Sequence, residues 1–164
     1  MVHCDECGFV YDMGEAEQAA RGMTEGVETF ADVLRLSPTD LARRTDPDTW
    51  SVLEYCCHVR DVLLVQRERV LLARRKDRPS LARMGRDERV EHDGYAVQDP
   101  RDVARQLTDA ARMLAHDLGR LGSDDWDRTV MYNYPELRER SLRWVALHTL
   151  HEVRHHLLDV QRQF

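Results

Sequence analysis

The stretch that decides the fold lies near the carboxyl end, where residues 141–160 read SLRWVALHTLHEVRHHLLDV. The segment contains no glycine or proline, so it is predicted to run as one helix. Apolar residues recur along it at helical spacing and mark a buried side: Leu142, Val145, Ala146, Thr149, Val153 and Val160. Four of the chain's eight histidines fall between positions 148 and 156, so this helix is also where functional side chains are expected.

A second face of the same helix carries most of these histidines. Residues at steps of three or four form its stripe: Trp144, His148, His151, His155 and Leu158. His151 and His155 are four apart, a spacing that lets two imidazoles reach one ion from a single helix. His156 is turned by about 100° from His155 and is predicted to be structural.

A third ligand is expected upstream, in the apolar stretch 50–64. His58 lies inside it and should be neutral when buried, so it needs hydrogen-bond partners or a metal. If the two helices pack side by side, His58 can meet His151 and His155. Three neutral imidazoles would leave a position open for water or substrate. A purely structural role for His58 is the alternative, and His148 is the competitor as third ligand.

The amino terminus carries a separate motif. Cys4, Cys7 and Gly8 form Cys-x-x-Cys-Gly, which resembles half of a zinc ribbon, with glycine permitting the tight turn. A second Cys-x-x-Cys is absent, so His3 or one of the cysteines at 56–57 would have to complete a second, structural zinc site. The alternatives are a redox pair and a metal-free knuckle.

Residues 13–36 are predicted to form the first long helix, ended by Ser37-Pro38. Gly22 and Gly26 weaken this helix, but their four-residue spacing favours close approach of another helix. One short helical turn is expected at 39–42 in the connector that follows.

Two further helices have clear start signals. Ser51–Glu54 reads Ser-x-x-Glu, a capping box, and opens a helix that runs to about Lys76. Asp99-Pro100 places an N-cap residue before proline at the first helical position, and Gly122 is expected to end that third helix.

Four long helices without a convincing internal strand predict an all-α fold, an up-down-up-down four-helix bundle over 13–164 preceded by the knuckle at 1–12. In that topology the second and fourth helices run parallel, so the ligands lie toward the helix starts. The aromatic loop 123–140 is then expected at the substrate entrance, and the long loop 77–98 at the opposite end. Three side chains are predicted to line the entrance: Trp126, Tyr132 and Tyr134.

Composition excludes several classes of function. The net charge is −6 and no basic block occurs, so nucleic-acid binding has little support. No apolar run approaches membrane-spanning length and no signal-peptide pattern is seen, so a cytoplasmic location is expected, with cysteines reduced or metal-bound. A two-fold homodimer is expected to cover the apolar surface that a bundle leaves outside.

These motifs give the chain a family resemblance. Over residues 13–162 it resembles the DinB-like superfamily, on the strength of Trp50-Ser51, Glu54, His58, Asp61 and His151-Glu-Val-Arg-His155-His156. The resemblance implies a four-helix bundle with a divalent metal, zinc or nickel, at one end of the core. It carries the three ligand positions over to His58, His151 and His155, and leaves the Cys-x-x-Cys outside the shared region.

The superfamily includes bacterial thiol S-transferases and mycothiol-dependent maleylpyruvate isomerase. The resemblance therefore implies a metal-dependent enzyme that transfers a low-molecular-weight thiol of the mycothiol type to a small electrophile, the metal presenting a thiolate. The alternatives are a metal-binding stress-response protein without turnover and a metal-assisted hydrolase.

Two carboxylates outside the ligand set are predicted to orient the metal-binding histidines. Asp61 follows His58 by three positions, and Asp159 follows His155 by four. Either carboxylate could hold an imidazole N–H and fix its tautomer, or could be a surface group paired with arginine. His148 is expected to be a supporting or substrate-contacting residue if it is not a ligand.

Overall fold

A computed structural model describes residues 3–37 and 39–164 of the protein. The helices are α1 (Ala19–Leu36), α2 (Val52–Arg75), α3 (Arg86–His92), α4 (Pro100–Leu118), α5 (Ser123–Trp126) and α6 (Leu142–Gln161), with 3-10 turns at Met13–Gln18 and Tyr95–Val97. The strands are β1 (Thr129–Asn133) and β2 (Leu137–Ser141).

The long helices begin where their capping residues predict. The Ser51 hydroxyl accepts from the Glu54 amide, and the Glu54 carboxylate accepts from the Ser51 amide at 2.7 Å, so the capping box at the start of α2 is formed. Asp99 caps α4, and Ser141 caps α6 by accepting from the Trp144 amide. The four long helices of the predicted bundle are confirmed.

Smaller features of the helix ends differ from the prediction. A 3-10 turn precedes α1, and residues 39–42 form a turn instead of a helical turn. The predicted stop at Pro38 lies outside the described residues, and α1 ends at Leu36. Helix α4 already ends at Leu118, while Gly122 precedes α5.

The order of the helices around the bundle is not the order of the sequence. Helix α1 packs against α4 and α6, and α2 packs against the same two helices. Consequently α1 and α2 occupy opposite corners, as do α4 and α6.

Helices α2 and α6 run antiparallel. Gln163, just after α6, donates to the carbonyl of Trp50, just before α2, at 3.0 Å. At the other end Arg128, which precedes α6, donates to the carbonyl of Ala73 at 2.6 Å. The predicted parallel arrangement of these two helices was therefore wrong.

The remaining directions follow from side-chain pairs. Arg60 meets Gln106 at 2.7 Å and Arg67 meets Asp117 at 2.7 Å, so α2 and α4 run parallel. Helix α1 runs parallel to α6, because residue 17 pairs with residue 143 and residue 26 lies against residue 153. The topology is up-down-down-up, which corrects the predicted up-down-up-down.

Two long parallel helices that follow each other in the chain, such as α2 and α4, need a connection that runs back along their whole length. Residues 76–99 are that connection. They pair with β1 through the Leu81 amide and the Met131 carbonyl at 2.9 Å, and then run back beside α2 until Arg89 reaches Asp61 at 3.0 Å. The prediction that 77–98 lies at the end opposite the histidines was wrong, because a crossover must visit both ends.

The segment predicted as an aromatic loop contains a small sheet. Strands β1 and β2 pair antiparallel, from Thr129 with Ser141 to Asn133 with Leu137. Residues of β1 alternate between inside and outside, with Val130 buried. The fold is mostly helical with a two-stranded sheet, so the all-α prediction holds only for the bundle.

Close packing of α1 on α6 depends on glycine. A Cβ built at Gly26 would lie 2.6 Å from Val153 Cγ1, and one at Gly22 would lie 2.9 Å from Leu150 Cδ1. The predicted close helix approach is confirmed.

The amino-terminal segment 3–12 is a knuckle docked on α6. The Gly8 amide donates to the Cys4 carbonyl at 2.9 Å, and the Cys4 amide donates to the Phe9 carbonyl at 2.9 Å. Phe9 and Tyr11 are buried in the core. Within the described part of the chain, none of the helices combines the length and the apolar character that a bilayer crossing requires.

Candidate metal centres

Three of the four histidines of α6 fall into two groups that face different partners. Glu152 and His156 face His58 on α2. His151 and His155 face the amino-terminal knuckle. The structure therefore does not bring the three predicted ligands together. Successive residues of a helix are turned by about 100° from each other, so the pair His151–His155 and the pair Glu152–His156 face different directions.

We name the first group, His58, Glu152 and His156, the histidine–glutamate cluster. His58 Nε2 lies 3.9 Å from Glu152 Oε2, and His156 Nε2 lies 3.6 Å from the same oxygen. His58 is 2% exposed, and neither of its ring nitrogens has a hydrogen-bond partner among the described residues. Ligands about 2.1 Å from a tetrahedral zinc ion stand roughly 3.4 Å apart, so these three donors fit a divalent ion better than direct hydrogen bonds.

Two of the three donors, Glu152 and His58, are in the charge state that metal binding requires. Burial would raise the pKa of Glu152, but the surrounding imidazoles of His151, His156 and His58 hold it well below its usual range. Burial lowers the pKa of His58, so this imidazole is neutral and its lone pair is free. The cluster therefore presents an anionic oxygen beside a neutral nitrogen donor.

Of the two predicted supporting carboxylates, one touches the cluster. His156 Nδ1 donates to Asp159 Oδ2 at 2.9 Å, which leaves His156 Nε2 directed toward Glu152. Burial would lower the pKa of His156, but Asp159 and Glu152 raise it to about 9.

Asp61 has a different role from the predicted one. Its carboxylate accepts from Arg60 at 2.7 Å, from Arg89 at 3.0 Å and from the Tyr95 hydroxyl at 2.6 Å. It therefore fastens the crossover segment to α2 instead of holding His58.

The second group, the cysteine–histidine cluster, consists of Cys4, Cys7, His151 and His155. One donor atom from each residue lies within 4.8 Å of all the others. Cys4 Sγ is 3.7 Å from His155 Nδ1, and neither ring nitrogen of buried His151 has a hydrogen-bond partner in the described chain.

The other residues considered for the amino-terminal site lie elsewhere. His3 pairs with Asp5 at 2.7 Å. Cys56 is buried in the core, and Cys57 Sγ faces Gln98 Oε1 at 3.6 Å. Burial raises the pKa of both of these thiols, so they stay protonated and unreactive.

A cavity of about 930 Å³ opens beside both clusters. Tyr132 and Tyr134 line it, as predicted for the substrate entrance, whereas Trp126 is buried away from it with Arg143 over its ring. Five arginines from α2, residues 76–99 and the β1–β2 hairpin line the cavity: Arg69, Arg83, Arg86, Arg138 and Arg140. Five carboxylates line it as well: Glu6, Asp87, Glu88, Glu136 and Glu152.

His148 lies in the cavity wall between the clusters and the hairpin. Its Nδ1 and the Tyr11 hydroxyl form a hydrogen bond of 3.1 Å, and its ring stacks on Trp144 at 4.6 Å. Burial lowers the pKa of His148 to about 4, so its imidazole is neutral.

Sequence reasoning missed Glu152 as a candidate ligand. The signal was present, since Glu152 and His156 have the same four-residue spacing as His151 and His155. The arginines of the crossover were also missed, because their proximity depends on the path of residues 76–99.

Comparison with known proteins supports the architecture. The model of the DinB superfamily matches residues 23–160. The chain belongs to the DinB superfamily. Among solved structures, this DinB protein resembles YfiT from Bacillus subtilis, described as a probable metal-dependent hydrolase with an unusual four-helix bundle topology. The two share 14% identity and a TM-score of 0.75 over 92% of this chain and 87% of YfiT, a likeness that shows the fold. No curated protein matches the chain.

Proposed function

We propose that this DinB protein is a metal-dependent enzyme that transfers a low-molecular-weight thiol to a small electrophile. The observation that carries the proposal is the histidine–glutamate cluster, whose three donors converge beside a cavity of about 930 Å³. Three protein ligands leave a coordination position for a reactant, which is the arrangement of a catalytic rather than a structural site.

The ion proposed for this cluster is zinc. When bound, it would lower the pKa of a thiol or a water molecule and so supply a nucleophile at neutral pH. His58 and Glu152 would hold it, and Asp159 would keep the His156 ring in the orientation that ligation needs.

Two arginines of the cavity wall favour an anionic substrate. Arg83 and Arg140 face the cavity without a carboxylate partner among the described residues, since Arg83 donates to the Pro135 carbonyl at 3.3 Å and Arg140 lies over the Trp144 ring. Guanidinium groups bind carboxylates in a planar, two-point geometry. We therefore propose an electrophile that carries a carboxylate or a similar anionic group.

A thiol-consumption assay tests this function. Zinc-loaded protein should consume mycothiol or bacillithiol only in the presence of a carboxylate-bearing electrophile, and His58→Ala should abolish the reaction. His92→Ala, at an exposed position, is the matched control. An assay in which the thiol is never consumed, or in which His58→Ala keeps full activity, would contradict the proposal.

Hydrolysis is the second candidate, and the donor set favours it. Two histidines and one glutamate hold zinc in well-known hydrolytic enzymes, where the ion activates water. YfiT, which shares the fold, is itself described as a probable hydrolase. Product formation that continues without any added thiol would select hydrolysis over thiol transfer.

A further inference from the structure

We infer that the cysteine–histidine cluster is a second, closed zinc site that fixes the amino-terminal knuckle to α6. The inference is independent of the proposed function, because it concerns different side chains and a structural role. Its two cysteines lie outside the region that the superfamily model matches, which begins at residue 23.

The donor set and its dimensions suit zinc. Two thiolates and two imidazoles are a common set for tetrahedral structural zinc, with Zn–S about 2.3 Å and Zn–N about 2.0–2.1 Å. Tetrahedral geometry then places a sulfur and a nitrogen roughly 3.6 Å apart. The 3.7 Å between Cys4 Sγ and His155 Nδ1 agrees with this spacing, and all four donors lie within 4.8 Å of one another.

The knuckle has the backbone that brings two cysteines to one ion. Gly8 follows Cys7 with φ of +70°, a left-handed conformation that favours glycine, and its amide closes the turn on the Cys4 carbonyl. Phe9 then packs against His151 with ring centroids 5.5 Å apart, so the turn is held over α6.

The histidines of the cluster are arranged as ligands. His151 is 8% exposed with both ring nitrogens unpartnered in the described chain, a costly state unless something binds them. His155 Nε2 lies 3.1 Å from Glu6 Oε2, which fixes the tautomer and leaves Nδ1 toward Cys4. Glu6 stands between the two cysteines, so the knuckle supplies both the ligands and the group that orients one of the opposing imidazoles.

A closed site has a structural consequence for the cavity. All four coordination positions are filled by the protein, so no position remains for a reactant. Cys4, Glu6 and Tyr11 form part of the cavity wall. Zinc at this site would therefore hold one wall of the cavity in place.

Metal analysis of the full-length protein, purified under reducing conditions, tests the inference. Wild type should bind about two zinc ions per chain. The Cys4→Ser, Cys7→Ser double variant and His155→Ala should each lose one ion and keep the other, whereas His58→Ala should lose only the ion of the histidine–glutamate cluster. His92→Ala should keep both.

Cobalt substitution identifies the ligands without depending on any one variant. Cobalt-loaded wild type and His58→Ala should show the near-ultraviolet charge-transfer absorption of cobalt–thiolate bonds, and the double cysteine variant should lack it. Wild type without that absorption, a double variant that retains both ions, or alkylation showing Cys4 and Cys7 joined as a disulfide would overturn the inference.

Discussion

Glu152 is central to the chemistry proposed for α6. It is surrounded by imidazoles at distances of 3.5 to 3.9 Å, each too long for a good hydrogen bond. A carboxylate held this way attracts a cation, and its position one step after His151 separates the two donor clusters. The same residue supplies the negative charge that a site built only from neutral histidines would lack.

We expect Asp159→Asn to weaken metal binding at the histidine–glutamate cluster by about 10- to 100-fold, because His156 would lose the carboxylate that orients it and raises its basicity. Competition with a chromophoric chelator measures this affinity. Glu152→Gln, which removes a proposed ligand, should lose still more. An Asp159→Asn protein with wild-type affinity would show that the hydrogen bond to His156 plays no part in binding.

Asp61 is expected to control acid stability. Burial would raise its pKa, but Arg60, Tyr95 and Arg89 lower it below the usual value. Because the folded protein then binds the proton more weakly than the unfolded chain does, this contribution is fully present above about pH 4 and is lost as the pH falls below that value. Urea unfolding should show Asp61→Asn less stable than wild type at pH 7 by about 3 kcal/mol.

The same comparison repeated in acid tests the direction in which the stability difference changes with pH. The free-energy difference between wild type and Asp61→Asn should shrink as the pH falls through about 4 toward 3, since wild type alone loses the ion pairs. A difference that stays constant with pH would contradict the assigned role.

Helices α1 and α6 approach closely at their glycine positions, and the two glycines should respond differently to substitution. Gly26→Ala meets Val153, whose branched side chain is stiff, and should destabilise by roughly 1 kcal/mol after the gain in helix propensity. Gly22→Ala meets the flexible end of Leu150 and should be close to neutral. Thermal or urea unfolding of both variants measures the contrast.

A double variant supplies the control for that packing. Adding Val153→Ala to Gly26→Ala should cost less than the sum of the two single changes, because the smaller side chain removes the overlap. Strict additivity would mean that the two positions do not touch.

Local chemistry in the sequence predicted the helices well, and for a physical reason. Capping residues such as Ser51 and Asp99 act within one turn, so the bounds of a helix can be read from neighbouring positions. Helix direction is different, since it depends on how far a connection travels. The length of residues 76–99 was visible, but that they return along α2 is decided by contacts with β1 and Asp61, which are far apart in the chain.

The individual donor residues of the candidate sites could be predicted from the sequence, but their grouping into two clusters could not. Spacing identified His58, the two histidine positions on α6 and the Cys-x-x-Cys motif. Which of them meet depends on the antiparallel packing of α2 on α6 and on the docking of the knuckle. Both are tertiary facts that no local pattern contains.

Taken as a whole, the molecule has a net charge of −6, and its cavity is lined by both arginines and carboxylates. Arg86 and Arg138 pair with Asp87 and Glu136, whereas Arg83 and Arg140 have no carboxylate partner among the described residues and leave local positive charge at the wall. This arrangement should draw anionic reactants to the site in a salt-dependent manner. The homodimer expected from the sequence stays a prediction that sedimentation would address.

We expect Arg83→Gln or Arg140→Gln to raise KM for an anionic substrate roughly tenfold while leaving metal content unchanged, because each removes a charge-assisted hydrogen bond. Arg75→Gln, at an exposed position on α2 outside the cavity lining, is the matched control. Steady-state kinetics at low and high salt would measure both the loss and its screening. Equal KM values for all three variants would exclude this role for the arginines.

The hexapeptide 151–156 contributes to both clusters and to the contact between α1 and α6. This overlap restricts the substitutions that the chain can accept during evolution. Four of its positions supply donors to one cluster or the other, and Val153 is fitted against Gly26. Only Arg154 supplies no donor to either cluster and is not fitted against Gly26; it is exposed, with its guanidinium over the Phe9 ring. A saturation scan should find this hexapeptide the least tolerant stretch of the protein, with a single permissive position in its middle.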